Sequence, residues 1–167
     1  NELVGIITSR DINTALLVEL TRELNKQESQ SQSKITTDAE GMHLFKVYHV
    51  RRYDFENAGK ASTDIRKFLK KCKIKSGLIR RVSVAAYELE MNQVVHSLGG
   101  TITCRADATH AEIIAQDTGP GIEDVELSMQ EGVTTANAWI QSMGFGAGMG
   151  LPNAKRVADE FDISSSP

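Results

Sequence analysis

Along residues 42–52 the apolar positions Leu44, Val47 and Val50 alternate imperfectly with polar ones, which predicts a β-strand. Residues 58–72 repeat at helical spacing instead. Ile65, Phe68 and Leu69 form the inward stripe and lysines fill the other side, a face that reads as solvated surface. The helical pattern resumes over 76–98, with Val82, Ala85, Ala86 and Leu89 placed to face a sheet and Gly99-Gly100 closing the helix. Residues 101–106 and 109–116 predict two strands of a hairpin that turns at 106–108. A short helix is expected over 125–132. Residues 133–143 are small, polar and poorly periodic, the composition of a flexible loop. A last helix is expected over 151–161, with Val157 and Phe161 buried. Strands and helices mix without a βαβ repeat. The expected fold class is therefore α+β, a two-layer sandwich of one mixed sheet with helices on one face.

The chain before this domain has a different pattern. Residues 3–8 are apolar and β-branched, as a short strand is, and 11–25 carry Ile12, Leu16, Leu17, Leu20 and Leu24 at helical spacing. Residues 28–38 are rich in Gln, Ser, Lys and Thr and offer almost nothing to bury. The expected organisation is a strand–helix piece over 1–25, a linker over 26–40 and the main domain over 41–167.

A chain of 167 residues has room for one domain and an appendage. Its net charge of −3 gives no general attraction to nucleic acid or anionic membrane. No apolar run approaches the roughly 20 residues of a membrane helix, and no signal-peptide pattern is visible at the start of the given sequence. Cys72 and Cys104 lack metal-ligand spacing and read as reduced thiols of a cytoplasmic protein.

The candidate chemistry starts at Gly144-Phe145-Gly146-Ala147-Gly148-Met149-Gly150, followed at once by Leu151 and a helical pattern. Glycine at every second position fills no core. It suits a backbone that approaches a ligand and donates N–H groups to it, ending at a helix N-terminus where an anion such as phosphate binds. Other phosphate templates fail: no G-x-x-x-x-G-K-[ST] is present, and the G-x-G-x-x-G pattern breaks at Met149 or Leu151. Upstream, Asp117 ends an apolar strand before Gly119, Pro120, Gly121 and Ile122. A carboxylate there accepts from an exocyclic amino group, so it selects adenine over guanine; an ordinary Asp-Thr-Gly turn has the same residues. Glu88 and Asn92 lie one helical turn apart. Either they are a plain exposed pair, or they offer a carboxylate and an amide oxygen to hydrated Mg2+ and a reacting group. His96, a further turn along, reads as a packed or helix-end histidine whose position favours the charged form. Thr134, Thr135 and Asn137 are candidates to reach a phosphate at the glycine run. Trp139 packs either within the loop or on a partner or neighbouring subunit. Lys155 and Arg156 either touch phosphate or are solvated.

In order, E-x-x-x-N at 88–92, D-x-G-x-G at 117–121 and the glycine run with Leu151-Pro152 resemble the GHKL (Bergerat-fold) ATPases. The segment 151–161 is most similar to the small anti-sigma-factor serine/threonine kinases of bacteria. The resemblance covers about residues 41–167. It implies an ATP site with Asn92 as the Mg2+ ligand, Glu88 as general base and 133–143 as the ATP lid. Adenine and phosphate contacts would come from Asp117, Gly119, Gly121, Ile122, Thr134, Thr135 and residues 144–151. Val95 stands where many relatives carry Lys, so a phosphate contact from that position is lost. In the family the chain continues into a strand pair with a Lys-Gly-Thr-type element that helps close the adenine site. The start at Asn1 and the end at Ser164-Ser165-Ser166-Pro167 suggest cuts, with those strands truncated. Gly5 to Ile12 resembles the closing strand and helix start of a CBS motif, where Thr8 and Asp11 would hold an adenosine; an Asp-capped helix fits equally.

The resulting expectation is an ATP- and Mg2+-dependent serine/threonine protein kinase acting on a small STAS-type antagonist protein. Its partners would be that protein, a sigma factor or a phosphatase regulator, with a homodimer among the expected assemblies. The alternative is a nucleotide-gated binding module without kinase activity. A sensor histidine kinase catalytic half is disfavoured, because no phosphoacceptor helix pair precedes the domain.

Overall fold

The computed structural model describes residues 44–107 and 109–166. The strand–helix piece over 1–25, its CBS resemblance and the linker over 26–40 lie outside these residues. The described part is an α+β sandwich in two layers. Strand β1 (Leu44–Arg51) is followed by helices α1 (Lys60–Lys71) and α2 (Ser76–His96), the hairpin β2 (Gly99–Ala106) and β3 (Ala111–Thr118), and helices α3 (Val125–Ser128), α4 (Ala138–Ser142) and α5 (Gly150–Val157). The strands pair antiparallel in the order β1-β2-β3.

Period-two alternation decides which side chains meet the helices. Tyr48 and Val50 of β1 and Ile102, Cys104 and Ala106 of β2 are buried, with Ile113 and Ala115 of β3 packed against them. Their register forms rows across the sheet: Tyr48–Ile102–Ala115, and at one end Val50–Gly100–Asp117. In β1 the inward set is Tyr48 and Val50; Val47 is half-buried on the other parity. Against the inner face α1 sets Ile65 and Leu69, both fully buried, and α2 sets Ile79, Val82, Ala86 and Val94. Ala85 is half-buried, while Leu89 and Phe68 pack at the margin of this core.

Two buried polar side chains fix α2. Glu90 receives the Ala61 amide at 3.1 Å and the Ser62 amide at 3.0 Å. These are first-turn N–H groups of α1, whose own N-cap, Gly59, has no side chain to offer them. Gln93 donates its Nε2 to the carbonyls of Thr101 on β2 and Gln116 on β3, at 3.1 and 3.0 Å. One carboxylate thus ties α2 to α1, and one carboxamide ties it to two strands.

Helix α5 ends sooner than its apolar spacing predicts. Ala158 is extended, at φ −86° and ψ 151°. Arg81 of α2 takes the Val157 carbonyl at 2.7 Å and pairs with Asp159, also at 2.7 Å. The inward residues of α5 are Leu151 and Ala154, whereas Val157 and Phe161 are half-buried. Helix α3 is likewise a single turn, started by Asp124, which accepts from the Leu127 amide.

Burial raises the Glu90 carboxyl above its ordinary 4.5, against the opposing pull of its hydrogen bonds. Between 4.5 and the raised value the folded chain binds more protons than the unfolded one, so this residue makes stability fall as pH rises through that window. Glu90→Ala removes that slope. It also leaves two buried N–H donors without an acceptor and lowers stability by about 2–5 kcal/mol. Denaturant unfolding at several pH values measures both effects; an unchanged midpoint would contradict the capping role.

Candidate functional site

Beside the contact between α2 and α5 lies a cleft of about 660 Å³, within the size range of small-molecule sites. Its walls are the outer face of α2, the loop at Pro120 to Asp124, Thr134 and Thr135, and the whole run from Gly144 to Asn153. Glu88, Asn92, Gly121, Ile122, Thr134, Thr135, Gly144, Phe145, Gly146, Ala147, Gly148, Met149, Gly150 and Leu151 are thereby brought to one cavity. Residues 88 and 92 share a helix face, so both side chains look across at the glycine run.

The glycine loop has a steric reason for its composition. Gly144, Gly146 and Gly148 have φ of 85°, 71° and 71°, in the left-handed region that side chains rarely adopt. A Cβ on Gly148 would lie within 2.6 Å of backbone atoms of Gly132 and Val133, and one on Gly146 would collide with the Ala136 Cβ. The loop is pinned by the Gly132 amide donating to the Gly148 carbonyl at 3.0 Å. It runs into α5, whose N-cap residue Met149 supplies no side-chain acceptor. Uncapped N–H groups and the positive end of the helix dipole therefore face the cleft, an arrangement that attracts anions.

Asp117 and Gly119 do not line this cavity. Asp117 continues the helix-facing row of β3 beyond Ile113 and Ala115, where the core has ended. Partial burial raises its carboxyl above the ordinary value. Its side chain lies over Gly119: a Cβ there would come within 3.4 Å of the Asp117 Oδ1 and of Ser97. Directly opposite, Gly100 leaves the space that Asp117 uses, since a Cβ on it would stand 2.7 Å from the Asp117 Cβ. The pattern marks Gly100 only as a helix terminator; the legible signal was a glycine opening a strand.

For His96 the environment favours the neutral form over the charged one. Burial lowers its pKa below the ordinary 6.5. Its Nδ1 meets the Thr135 hydroxyl at 3.0 Å, joining α2 to the start of the 133–143 segment. That segment contains more regular structure than its composition suggests. Asn137 caps α4 by accepting the Ile140 amide at 3.0 Å, so its oxygen is engaged away from the cleft, and Ile140 is buried. Thr134 Oγ1 accepts the Ala136 amide. Trp139 is 55% exposed and stands edge-on to Tyr53 and Phe55, at 5.9 and 6.0 Å, while Phe55 stacks on Phe145 at 4.9 Å. Lys155 and Arg156 are exposed outside the cleft lining, with Arg156 held by Glu131 and Asn153.

Asn153 is a cleft residue that motif spacing did not single out. Its Nδ2 donates to the Glu88 Oε1 at 2.9 Å. Helical periodicity could have indicated it, since position 153 is one turn beyond Gly150 on the face turned to α2.

No protein-family model matches the chain. The chain is 35% identical over 89 residues to the serine/threonine-protein kinase RsbT of Bacillus subtilis (strain 168), a match that covers 51% of this chain and 61% of that protein. It thus spans less than two thirds of this relative. The likeness supports the resemblance to serine/threonine kinases carried by the motifs at 88–92, 117–121 and 144–151.

Proposed function

We propose that the described domain is the ATP-binding part of a serine/threonine protein kinase of the anti-sigma regulatory, GHKL (Bergerat) type, working in the cytoplasm. Its substrate is a Ser or Thr hydroxyl of a small STAS-type protein, and a sigma factor or phosphatase regulator is a further partner class. One observation carries this reading: Glu88 and Asn92 confront, across a single cleft, a glycine loop that ends at an uncapped helix N-terminus. The partial likeness to a named serine/threonine kinase supports it.

In this reading the amides of 144–151 hold the triphosphate, assisted by Thr134 and Thr135. Asp117 and Gly119 stand outside the cleft lining; in this reading the base extends past that lining, Asp117 accepts from the adenine amino group, and Gly119, Gly121 and Ile122 border the base. Asn92 would hold Mg2+ through its one side-chain oxygen. Among the described residues no three His, Cys, Asp or Glu side chains converge. A single neutral oxygen fits Mg2+, which keeps waters and phosphate oxygens as its other ligands. When bound, Mg2+ neutralises phosphate charge. Phosphoryl transfer demands mainly positioning and such neutralisation. The substrate oxygen bonds to the γ-phosphorus, and the bond to the bridging oxygen breaks with its electron pair leaving on ADP. Glu88 takes the hydroxyl proton.

A second reading is a nucleotide-gated binding module without transfer. The observation that favours it is Trp139, exposed on the segment beside the cleft and set against Tyr53. Labelled ATP offered together with STAS-type proteins separates the two. Transfer to a Ser or Thr establishes the kinase, and Mg-ATP binding without transfer establishes the module.

Asp117→Asn weakens ATP binding by about 1–3 kcal/mol, the cost of a mismatched polar pair. Calorimetry with ATP and GTP checks this, and equal affinity for the two nucleotides in the unaltered chain would remove Asp117 as the adenine reader. Asn92→Ala weakens Mg-ATP binding. Glu88→Gln leaves nucleotide binding intact and lowers transfer by about 10²–10⁴-fold, the usual worth of a positioned base. An active enzyme indifferent to Glu88→Gln would exclude this residue from the chemistry.

A further inference from the structure

Four side chains form a continuous hydrogen-bonded chain that ends on Glu88. Asn153 donates from Nδ2 to the Glu88 Oε1 at 2.9 Å. Arg156 donates from Nη1 to the Asn153 Oδ1 at 3.0 Å and from Nη2 to the Glu131 Oε1 at 2.5 Å. Asn153 and Arg156 are three residues apart on α5, hence neighbours on its surface. Glu131 precedes Gly132, whose amide is bonded to the Gly148 carbonyl of the glycine loop.

We infer that Asn153 is a positioning residue for Glu88, itself oriented by Arg156 and, through Arg156, by Glu131 at the root of the 133–143 segment. This rests on the kinase reading only for the role of Glu88 as base; the hydrogen-bonded chain does not depend on it.

The chemistry of each group supports the assignment. A carboxamide presents an oxygen on one side and an NH2 on the other, and turning it over would set its oxygen against the Glu88 carboxylate. Arg156 has donors only, so it fixes the Asn153 oxygen outward and the NH2 toward Glu88. A cation on the oxygen also polarises the amide and strengthens its N–H as a donor. Glu131 holds the guanidinium in place. The pair is too exposed, at 59% and 61%, to contribute much to stability, so its consequence is orientation. Asn153 engages Oε1 and leaves Oε2 turned toward Gly150, where a Cβ would come within 3.7 Å of it. One carboxylate oxygen is anchored and the other faces the first residue of α5.

The test uses the full chain and two readouts. In NMR spectra of labelled protein, the side-chain NH2 signals of Asn153 shift on Glu88→Ala and on Arg156→Ala. Signals indifferent to both would overturn the chain. In kinetics, Asn153→Asp keeps the shape and the Arg156 contact but has no donor for Glu88. It lowers kcat for transfer by about 10- to 10²-fold, with KM for ATP unchanged, as expected for a displaced reacting group. Arg156→Lys retains more activity than Arg156→Ala. In a Glu88→Gln background, Asn153→Asp produces no further loss, because it acts through Glu88. A full additional loss there, or a change confined to KM, would overturn the positioning role and leave the kinase reading standing. An unaltered chain that transfers no phosphate would overturn the kinase reading, and the amide signals alone would then decide the chain.

Discussion

The rotation of α2 about its own axis is the constraint from which the site follows. Glu90 and Gln93 are buried polar side chains, and each would be costly without partners. Their partners lie on fixed elements: the first turn of α1 for Glu90, and the carbonyls of Thr101 and Gln116 for Gln93. Together they hold the helix by two sides. At about 100° per residue, position 88 lies roughly opposite position 90, and 92 follows 88 by about 40°. Glu88 and Asn92 therefore have to face away from α1, into the cleft. The groups that settle the orientation of the Glu88–Asn92 pair are thus neighbours in sequence that take no part in the cleft.

The opposite wall follows from a different constraint. A loop that aims successive amides at a ligand needs backbone angles that side chains oppose, and it passes too close to other backbone to carry them. Gly148 meets both conditions against Gly132 and Val133, and Gly146 meets them against Ala136. The same closeness lets Gly132 bond to Gly148, so the 133–143 segment and the glycine loop are joined at their roots. Phe145 rises from the loop to stack on Phe55, and Trp139 adds an edge-on contact. The segment beside the cleft is therefore held by aromatic contacts at its outer side and by the His96–Thr135 hydrogen bond at its inner side. Burial lowers the His96 pKa and so favours the neutral ring, in which one nitrogen can accept.

The chain's pattern made the two-layer α+β arrangement legible, because period-two and period-3.6 spacing directly reflect which face meets the core. It also marked the glycine run, which neither core nor surface alone would select, whereas the Glu88–Asn92 pair and Asp117 also fit a plain helix surface and an ordinary turn and stand out only by their order with it. It did not fix local ends. Helix α5 stops at Val157 because Arg81, distant in sequence, takes that carbonyl and pairs with Asp159. The composition of residues 133–143 suggests a loop, yet Asn137 caps α4 within them and Ile140 is buried. A five-residue helix is too short to show a period, so its existence depends on one cap and one buried side chain.

What the sequence determined by itself was the inventory: which residues need water, which need burial, and which backbone positions must be glycine. Those follow from properties of single residues and their near neighbours along the chain. Only the tertiary structure decided what each group is paired with. It turned Glu90 from an ordinary helix carboxylate into the cap of another helix, lowered the His96 pKa by burying it, and set Asn153 and Arg156 behind Glu88. Hydrogen bonding and desolvation act over a few ångströms of space, whereas Glu88 and Asn153 are separated by 65 positions of chain. No local pattern encodes that distance; it is fixed when α2 and α5 pack.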